Sequence, residues 1–461
     1  MESPAEDFSG VLASILAVDQ QYNPAPGTLL TSSLAEKETQ RILDESTPDE
    51  LLSCVLTQLN GREHQLGILC ILENVARRKQ ERVGPLTPLA TQLASLACEF
   101  LTAARPTDYM STSRVWSNKL CSLCVATAKV AMAAASDVGS QTTFASSCIG
   151  PLSNGLECIT QSDNKRITPL NGMLLKLCVM TKCHTKAVAL LGSLPSLYDP
   201  GRFETKLSDV LGYFLYGAEA LLELKRYEEA MQMLTGAVVM PMFTPQAMAT
   251  TALKKYVLTS LILDGELREL PSYTSSIINR ALSQDIPDYA NLIQLAKQLK
   301  FERGSDENVQ ELRSYIASKQ MAWENDGNSA LVAVIADELH TKLVLKRCMK
   351  TYTTVPKGML MKNIGLASES ELDRILLKFS GSEQSLVRVD DDGGVVHFPH
   401  ASSASTIPSM DEIMELILQT TEAKSAVDKD WADIENSDLF RKSMVIGRSA
   451  PRKKNATGPP M

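Results

Sequence analysis

Hydrophobic residues recur at helical spacing along most of this chain. From Leu207 to Leu222 the apolar positions are three and four residues apart, so one helix carries a continuous apolar stripe. After the short segment Leu224–Arg226 a second stripe begins at Tyr227, where the small residues Ala230 and Ala237 allow close helix approach. The pattern predicts a helical hairpin of the tetratricopeptide (TPR) type.

The same pattern extends over residues 49–326. Further helices are predicted from Leu270 to Leu282 and from Glu307 to Trp323, and breakers such as Gly150-Pro151 separate the apolar runs. Hairpins of this kind cannot bury their apolar faces alone, so we expect them to stack as a helical-repeat solenoid. Residues 1–48 are acidic and interrupted by prolines, which predicts a separate N-terminal segment.

The periodicity changes after residue 327. Two helices are followed by a third, opened by the capping-box spacing of Ser368 and Glu371, and then by two β-rich runs joined by an Asp- and Gly-rich turn. Three helices and a hairpin are the element order of a winged helix, predicted over residues 327–400. The wing residues expected to contact other proteins are Leu386, Val387, Val389, Val395, Val396 and Phe398.

A last amphipathic helix is predicted over residues 409–435. No further apolar segment follows it, so we expect its apolar side to be buried against other proteins. Its expected anchors are Ile413, Leu416, Ile417, Val427 and Trp431. Residues 441–461 are basic and rich in Gly and Pro, which predicts a disordered tail.

Composition and charge agree with a mainly α fold and limit the classes of binding partner. Hydrophobic residues make up 44% of the chain and aromatic residues only 5%. The net charge of −8 should repel nucleic acid and anionic membranes, and no uninterrupted apolar run reaches the roughly 20 residues of a spanning helix. We therefore expect a soluble intracellular protein whose ten cysteines are packed thiols.

The reactive residues of this sequence form no catalytic or metal-binding pattern. The pair His397 and His400 has no cysteine or carboxylate pattern beside it, and Cys121-x-x-Cys124 has no second ligand pair at zinc-finger spacing. No phosphate-binding glycine loop or nucleophile elbow is present in the sequence. The sequence thus predicts no catalytic, metal or cofactor site and no enzyme activity.

Particular segments resemble the PCI family, the helical subunits shared by the proteasome lid, the COP9 signalosome and a translation initiation factor complex. The segments that carry this resemblance are Phe214–Ala218, Lys225–Ala230, Lys254–Gly265, Leu270–Ser275 and Asp392–Phe398. Within the family the chain is most similar to signalosome subunits.

The resemblance implies a non-catalytic scaffold subunit of the signalosome, the complex that removes Nedd8 from cullin-RING ubiquitin ligases. Its partners would be other signalosome subunits, met through the winged helix and the last helix, with cullin-RING ligases contacted indirectly. The expected location is cytoplasmic and nuclear. Two alternatives stay open: a PCI subunit of the proteasome lid or initiation factor, and a winged-helix regulator that binds nucleic acid. The acids Glu369, Glu371 and Asp373 on the predicted recognition helix argue against the latter.

Overall fold

The computed structural model describes residues 65–80, 88–104, 114–136, 142–160, 167–191, 205–242, 244, 246–301, 306–366, 368–380, 388–389, 394–398 and 410–436. The chain divides into two compact units, Met1–Leu343 and Val344–Met461. The predicted mainly α fold with helical repeats is confirmed. The predicted N-terminal segment and basic tail lie outside the described residues, and the predicted domain limits stay a prediction.

Helices account for nearly all of the described first unit. In chain order they are α1 (Gln65–Gln80), α2 (Pro88–Ala103), α3 (Arg114–Ser136), α4 (Thr142–Ser147), α5 (Ile149–Thr160), α6 (Pro169–Met180), α7 (His184–Leu191), α8 (Leu207–Glu223), α9 (Tyr227–Val239), α10 (Ala247–Asp264), α11 (Ser276–Gln284), α12 (Pro287–Phe301), α13 (Asp306–Ser318), α14 (Gln320–Asn325) and α15 (Ser329–Thr351). Helix α3 packs on α1, α2, α5 and α6, and the chain then continues as α6 on α8, α8 on α9 and α9 on α10. One hydrophobic core extends through these helices from Ile68 to Leu343.

Two helix predictions in this unit differ from the structure, one in its start and one in its continuity. Helix α11 begins at Ser276 rather than Leu270, because the hydroxyl of Ser275 caps it by accepting from the backbone N–H of Ile277 at 3.4 Å. The predicted helix from Glu307 to Trp323 is broken at Lys319, so that α13 and α14 are separate.

By length and composition, one described segment could cross a membrane: Ser117–Ser136 of α3. Half of it is buried inside the protein, and α3 is surrounded by other helices of the first unit. Such burial is typical of a core helix in a helical array.

Helices α6 and α8 cross closely at a pair of glycines. A Cβ on Gly172 would lie 2.8 Å from the carbonyl oxygen of Asp209 and 3.0 Å from the backbone nitrogen of Tyr213. One turn further along both helices, the Lys176 ammonium lies 5.6 Å from the centre of the Tyr216 ring. The two contacts advance in the same direction along both helices, so α6 and α8 run parallel.

A buried lysine connects α10 to α8 and to the residue just before α15. Lys255 is only 7% exposed, and its Nζ lies 3.3 Å from Oε1 of Glu219 on α8. The same ammonium donates to Oδ1 of Asn328, just before α15, at 3.1 Å. A buried charge is tolerated only when it is paired and hydrogen-bonded, and both conditions hold here.

The hydrogen-bond chain continues from Asn328 to Lys254. The Asn328 amide donates to the Tyr289 hydroxyl at 2.8 Å, and that hydroxyl donates to Oδ2 of Asp326 at 2.8 Å. Lys254 completes the chain by donating to Oδ1 of Asp326 at 2.6 Å. The Tyr289 ring packs edge-to-face on Trp323, and burial raises the pKa of its hydroxyl. A polar network therefore joins α8, α10 and α12 to the turn before α15.

The second unit contains a small antiparallel sheet. Its elements are β1 (Thr354–Pro356), α16 (Lys357–Ile364), α17 (Glu369–Ser380), β2 (Arg388–Val389), β3 (Val395–His397) and α18 (Met410–Asn436). The strand order is β1-β3-β2, with Val396 opposite both Val355 and Val389. A separate core gathers Val344, Leu345, Cys348, Val355, Leu360, Ile364, Leu372, Leu376, Val396 and Phe398. The element order is the one expected of a winged helix, and the assignment to the PCI type stays a prediction.

Candidate assembly surfaces

The predicted wing residues fall into three groups in the structure. Leu386 and Val387 lie outside the described residues, and Val389 is placed by its backbone pairing in β2. Val395 is half-buried, whereas Val396 and Phe398 belong to the core of the second unit. The side chains of Val396 and Phe398 thus pack inside the second unit.

Strand order decides where another protein could add a strand. Because β3 pairs with β1 on one side and β2 on the other, it has no open edge. Among the described strands β1 and β2 are the outer ones, and an outer strand presents backbone groups that can pair with a further strand. A proline at Val396 would therefore damage the sheet itself, so it cannot test strand addition. That the wing is an interface stays a prediction.

A buried lysine pairs with two of the acids on α17. Lys357, at the start of α16, is 7% exposed, and its Nζ lies 2.6 Å from Asp373 and 3.9 Å from Glu369. The ion pair ties α16 to α17 and neutralises part of the acidic face, while Glu371 is exposed. In a DNA-binding winged helix, α17 would be the helix that enters the groove. Here two of its acids are instead paired with a lysine of the same unit.

Helix α18 is exposed wherever its side chains are described. Of the predicted anchors, Ile417 is 56% exposed, while for Ile413, Leu416, Val427 and Trp431 only the helical backbone is described.

Three further apolar residues on α18 were missed by the sequence prediction. Met410, Met414 and Leu418 are 75%, 64% and 61% exposed. They stand at spacings of four from one another and next to Ile417, so the i, i+4 pattern beginning at Met410 could have revealed them. Together Met410, Met414, Ile417 and Leu418 form an apolar patch, called here the α18 patch.

The described cysteines are packed in the interior or lie partly buried at helix surfaces. Burial, reinforced by the charge of Asp209, raises the pKa of Cys121 to about 12, and burial raises the pKa of Cys124 well above its ordinary value. Thiols held protonated in this way are poor nucleophiles and poor metal ligands. Across the described part of the chain, no group of three or more His, Cys, Asp or Glu is placed to hold a metal ion.

The fold and these surfaces define a mainly α, helical-repeat protein with a small α/β unit and an exposed amphipathic helix. A family model described as "COP9 signalosome complex subunit 3, N-terminal helical repeats" matches residues 31–278, more than half of the chain. The chain belongs to the COP9 signalosome complex subunit 3 family.

Individual relatives agree with this membership. The chain is 27% identical over 275 residues to COP9 signalosome complex subunit 3 of Arabidopsis thaliana, covering 59% of this chain and 60% of the relative. It is 22% identical over 240 residues to the protein of the same name in Dictyostelium discoideum, covering 51% of this chain and 55% of the relative. The matches thus span less than two thirds of either relative's length.

Proposed function

We propose that this chain is a non-catalytic scaffold subunit of the COP9 signalosome, the complex that removes Nedd8 from cullin-RING ubiquitin ligases. The observation that carries the proposal is the family match over the helical repeats at residues 31–278. The same match favours the signalosome over the proteasome lid and the initiation factor complex. Cullin-RING ligases would be contacted indirectly, through the assembled complex, in cytoplasm and nucleus.

Assembly would use two elements of the second unit. The outer strand β2 offers its backbone for strand addition by a neighbouring winged helix. Helix α18 offers the α18 patch, which exposes four large apolar side chains within three turns. An exposed contiguous apolar patch on a helix is typical of a surface that other proteins cover.

The packing of the reactive groups supports a scaffold role. The Cys121 and Cys124 thiols are buried with raised pKa values, and His397 lies at the end of a paired strand. The polar network around Lys255 links helices through hydrogen bonds and an ion pair between side chains. Each of these groups already has a structural role in packing, sheet pairing or helix–helix linkage.

Affinity purification of the tagged full-length chain, followed by quantitative mass spectrometry, tests the proposal. We expect the other signalosome subunits to be recovered at close to equal amounts with the tagged chain. Recovery of proteasome-lid or initiation-factor subunits instead would replace this function with the corresponding alternative. A chain that elutes alone as a monomer would contradict any scaffold role.

A further inference from the structure

Two hairpin turns of the repeat array hold a lysine in the left-handed backbone region. Lys182, between α6 and α7, has a φ of 57°, and Lys225, between α8 and α9, has a φ of 59°. Among the described residues these are the two non-glycine positions with positive φ. The left-handed region disfavours a residue with a Cβ, so a lysine there has a steric cost.

The two turns have the same hydrogen bonds. After α6, the N–H of Lys182 donates to Val179 at 3.1 Å and that of Cys183 to Cys178 at 2.8 Å. After α8, the N–H of Lys225 donates to Leu222 at 2.9 Å and that of Arg226 to Leu221 at 2.9 Å. This is the Schellman arrangement, in which the left-handed position normally carries glycine.

Elsewhere the chain follows the usual preference. The left-handed caps of α10 and α16 are Gly265 and Gly365, with φ of 75° and 81°. At Gly265 a Cβ would lie 2.5 Å from a methyl group of Leu343, so that side chain would have to move. The two lysine turns therefore stand apart, because the same local geometry is built there with a charged side chain instead of glycine.

Both lysines lie at the same end of parallel helices. Gly172 and Lys176 of α6 lie beside Gly212 and Tyr216 of α8, so both C-termini point the same way. With helix axes 8–10 Å apart and α8 about one turn longer, the two turns are about 10 Å from each other.

Among the exposed described side chains at these turns, basic residues outnumber acidic ones. Both Lys182 and Lys225 are exposed. The exposed Lys186 stands one turn beyond Lys182. Arg226 donates to Glu229 at 2.6 Å, so this arginine and this acid offset each other, and Glu223 and Glu338 are further acids close to the neighbouring Tyr227. The lysines thus form a local positive area, called here the turn-lysine edge, on a chain of net charge −8.

We propose that the turn-lysine edge is a docking site for an extended acidic segment of a partner protein. Side chains on one face of an extended segment are two residues, or roughly 7 Å, apart, and the long side chains of two lysines about 10 Å apart can reach two such carboxylates. The overall negative charge disfavours a long polyanion such as nucleic acid, whereas a short acidic segment meets only the local positive area. A lysine is present at two equivalent turns despite the steric cost of its backbone conformation, which favours a role for its charge.

Fluorescence anisotropy with a labelled decaglutamate peptide and the full-length chain tests this. The double variant Lys182→Asn with Lys225→Asn keeps residues that tolerate the left-handed region but removes both charges. We expect its affinity to fall about fivefold or more. The matched control, Lys297→Asn with Lys350→Asn, removes two exposed charges from α12 and α15 and should change affinity less than about twofold.

A second variant separates binding from a structural role of the lysines. A lysine at a helix C-terminus can also stabilise the helix dipole, and in that case Lys182→Gly with Lys225→Gly would lower the thermal unfolding midpoint. We expect the midpoint to stay or rise, since glycine relieves the backbone strain, while peptide binding is lost. A lowered midpoint, equal losses in the control, or an oligonucleotide that competes as well as the peptide would each overturn the proposal.

Discussion

Helices α10 and α18 differ in what surrounds them. Nearly every turn of α10 contributes buried residues, including the polar Lys255, Thr259 and Ser260, and each of these has an internal partner. Every described side chain of α18 is exposed, including four large apolar ones. Both helices are long, yet α10 is buried on nearly all sides by its own chain, whereas α18 presents its described side chains to solvent.

The difference shows where to look for function in a helical scaffold. A region whose polar groups are all paired inside the chain mainly determines the shape of the subunit. A region with apolar groups left in water costs solubility, and this cost is offset only if another protein buries them. We therefore expect substitutions on α18 to affect assembly without affecting folding, and substitutions in the α6–α10 region to do the reverse.

The largest expected effect is on assembly, from Ile417→Asp on α18. A carboxylate in the middle of the α18 patch would have to be buried without a partner when the patch is covered. Co-purification with the other subunits should fall about tenfold or more. Helical circular dichroism and the unfolding midpoint of the isolated chain should stay unchanged, because Ile417 is 56% exposed there.

Gln419→Asp provides the matched control for that variant. Gln419 is also exposed on α18, and it lies on the polar side with Glu415, so the same negative charge is added outside the patch. Its co-purification should match that of the wild type. An equal loss in both variants would mean that charge on the helix, rather than the patch, controls assembly.

The next largest effect is expected in the first unit, from Gly172→Ala. The added methyl would lie 2.8 Å from a backbone carbonyl oxygen of α8, which cannot rotate away as a side chain could. Helices α6 and α8 would have to separate, at a cost of about 2 kcal/mol in the free energy of unfolding. Urea unfolding followed by circular dichroism measures it.

Gly150→Ala is the control, since a Cβ there meets nothing within 4 Å. Alanine is the better helix former, so this variant should be neutral or more stable by up to about 1 kcal/mol. If Gly172→Ala were equally harmless, the close crossing of α6 and α8 would not contribute to stability, and the contrast between the two regions would weaken.

Sequence periodicity predicted the helices well where packing is local. The hairpin of α8 and α9 follows directly from apolar spacing and the short turn between Glu223 and Tyr227. The start of α11 was placed too early, at the apolar Leu270, although Pro271 and a run of hydroxyl-bearing residues follow it before Ser276. Hydrogen bonds from Tyr256 to the carbonyl oxygens of Arg268 and Glu269 hold the preceding loop in another conformation.

Features that depend on distant residues could not be predicted in this way. The predicted hairpin contained the strands β2 and β3, but the pairing of β1 with β3 joins residues about forty positions apart and makes β3 the central strand. This is why Val396 was expected at an interface and is instead buried. Burial of Lys255 likewise depends on Glu219 and Asn328, which no local pattern connects to it.

A smaller effect is expected from Tyr289→Phe in the polar network. The hydroxyl accepts from Asn328 and donates to Asp326, both at 2.8 Å, so its removal leaves a donor and an acceptor short of a partner. The loss in unfolding free energy should be about 1–2 kcal/mol. Tyr315→Phe is the control, because that hydroxyl makes 3.3 Å contacts with Asp288 near the surface and should cost less.

The same variant has a pH signature that a simple packing defect lacks. Burial, and next to it the charges of Asp326 and Asp288, raise the pKa of Tyr289 above its ordinary value of 10.0. The neutral hydroxyl is thus favoured in the folded state, and its contribution to stability is complete below pH 10 and is lost as the pH rises toward the folded-state pKa. The wild type should lose more stability than Tyr289→Phe between pH 10 and 11, so the difference between them should shrink there. A difference that stays constant over this interval would mean that the Tyr289 hydroxyl is already exposed to water. The polar network around Lys255 would then be more open to solvent than the buried side chains of α10 suggest.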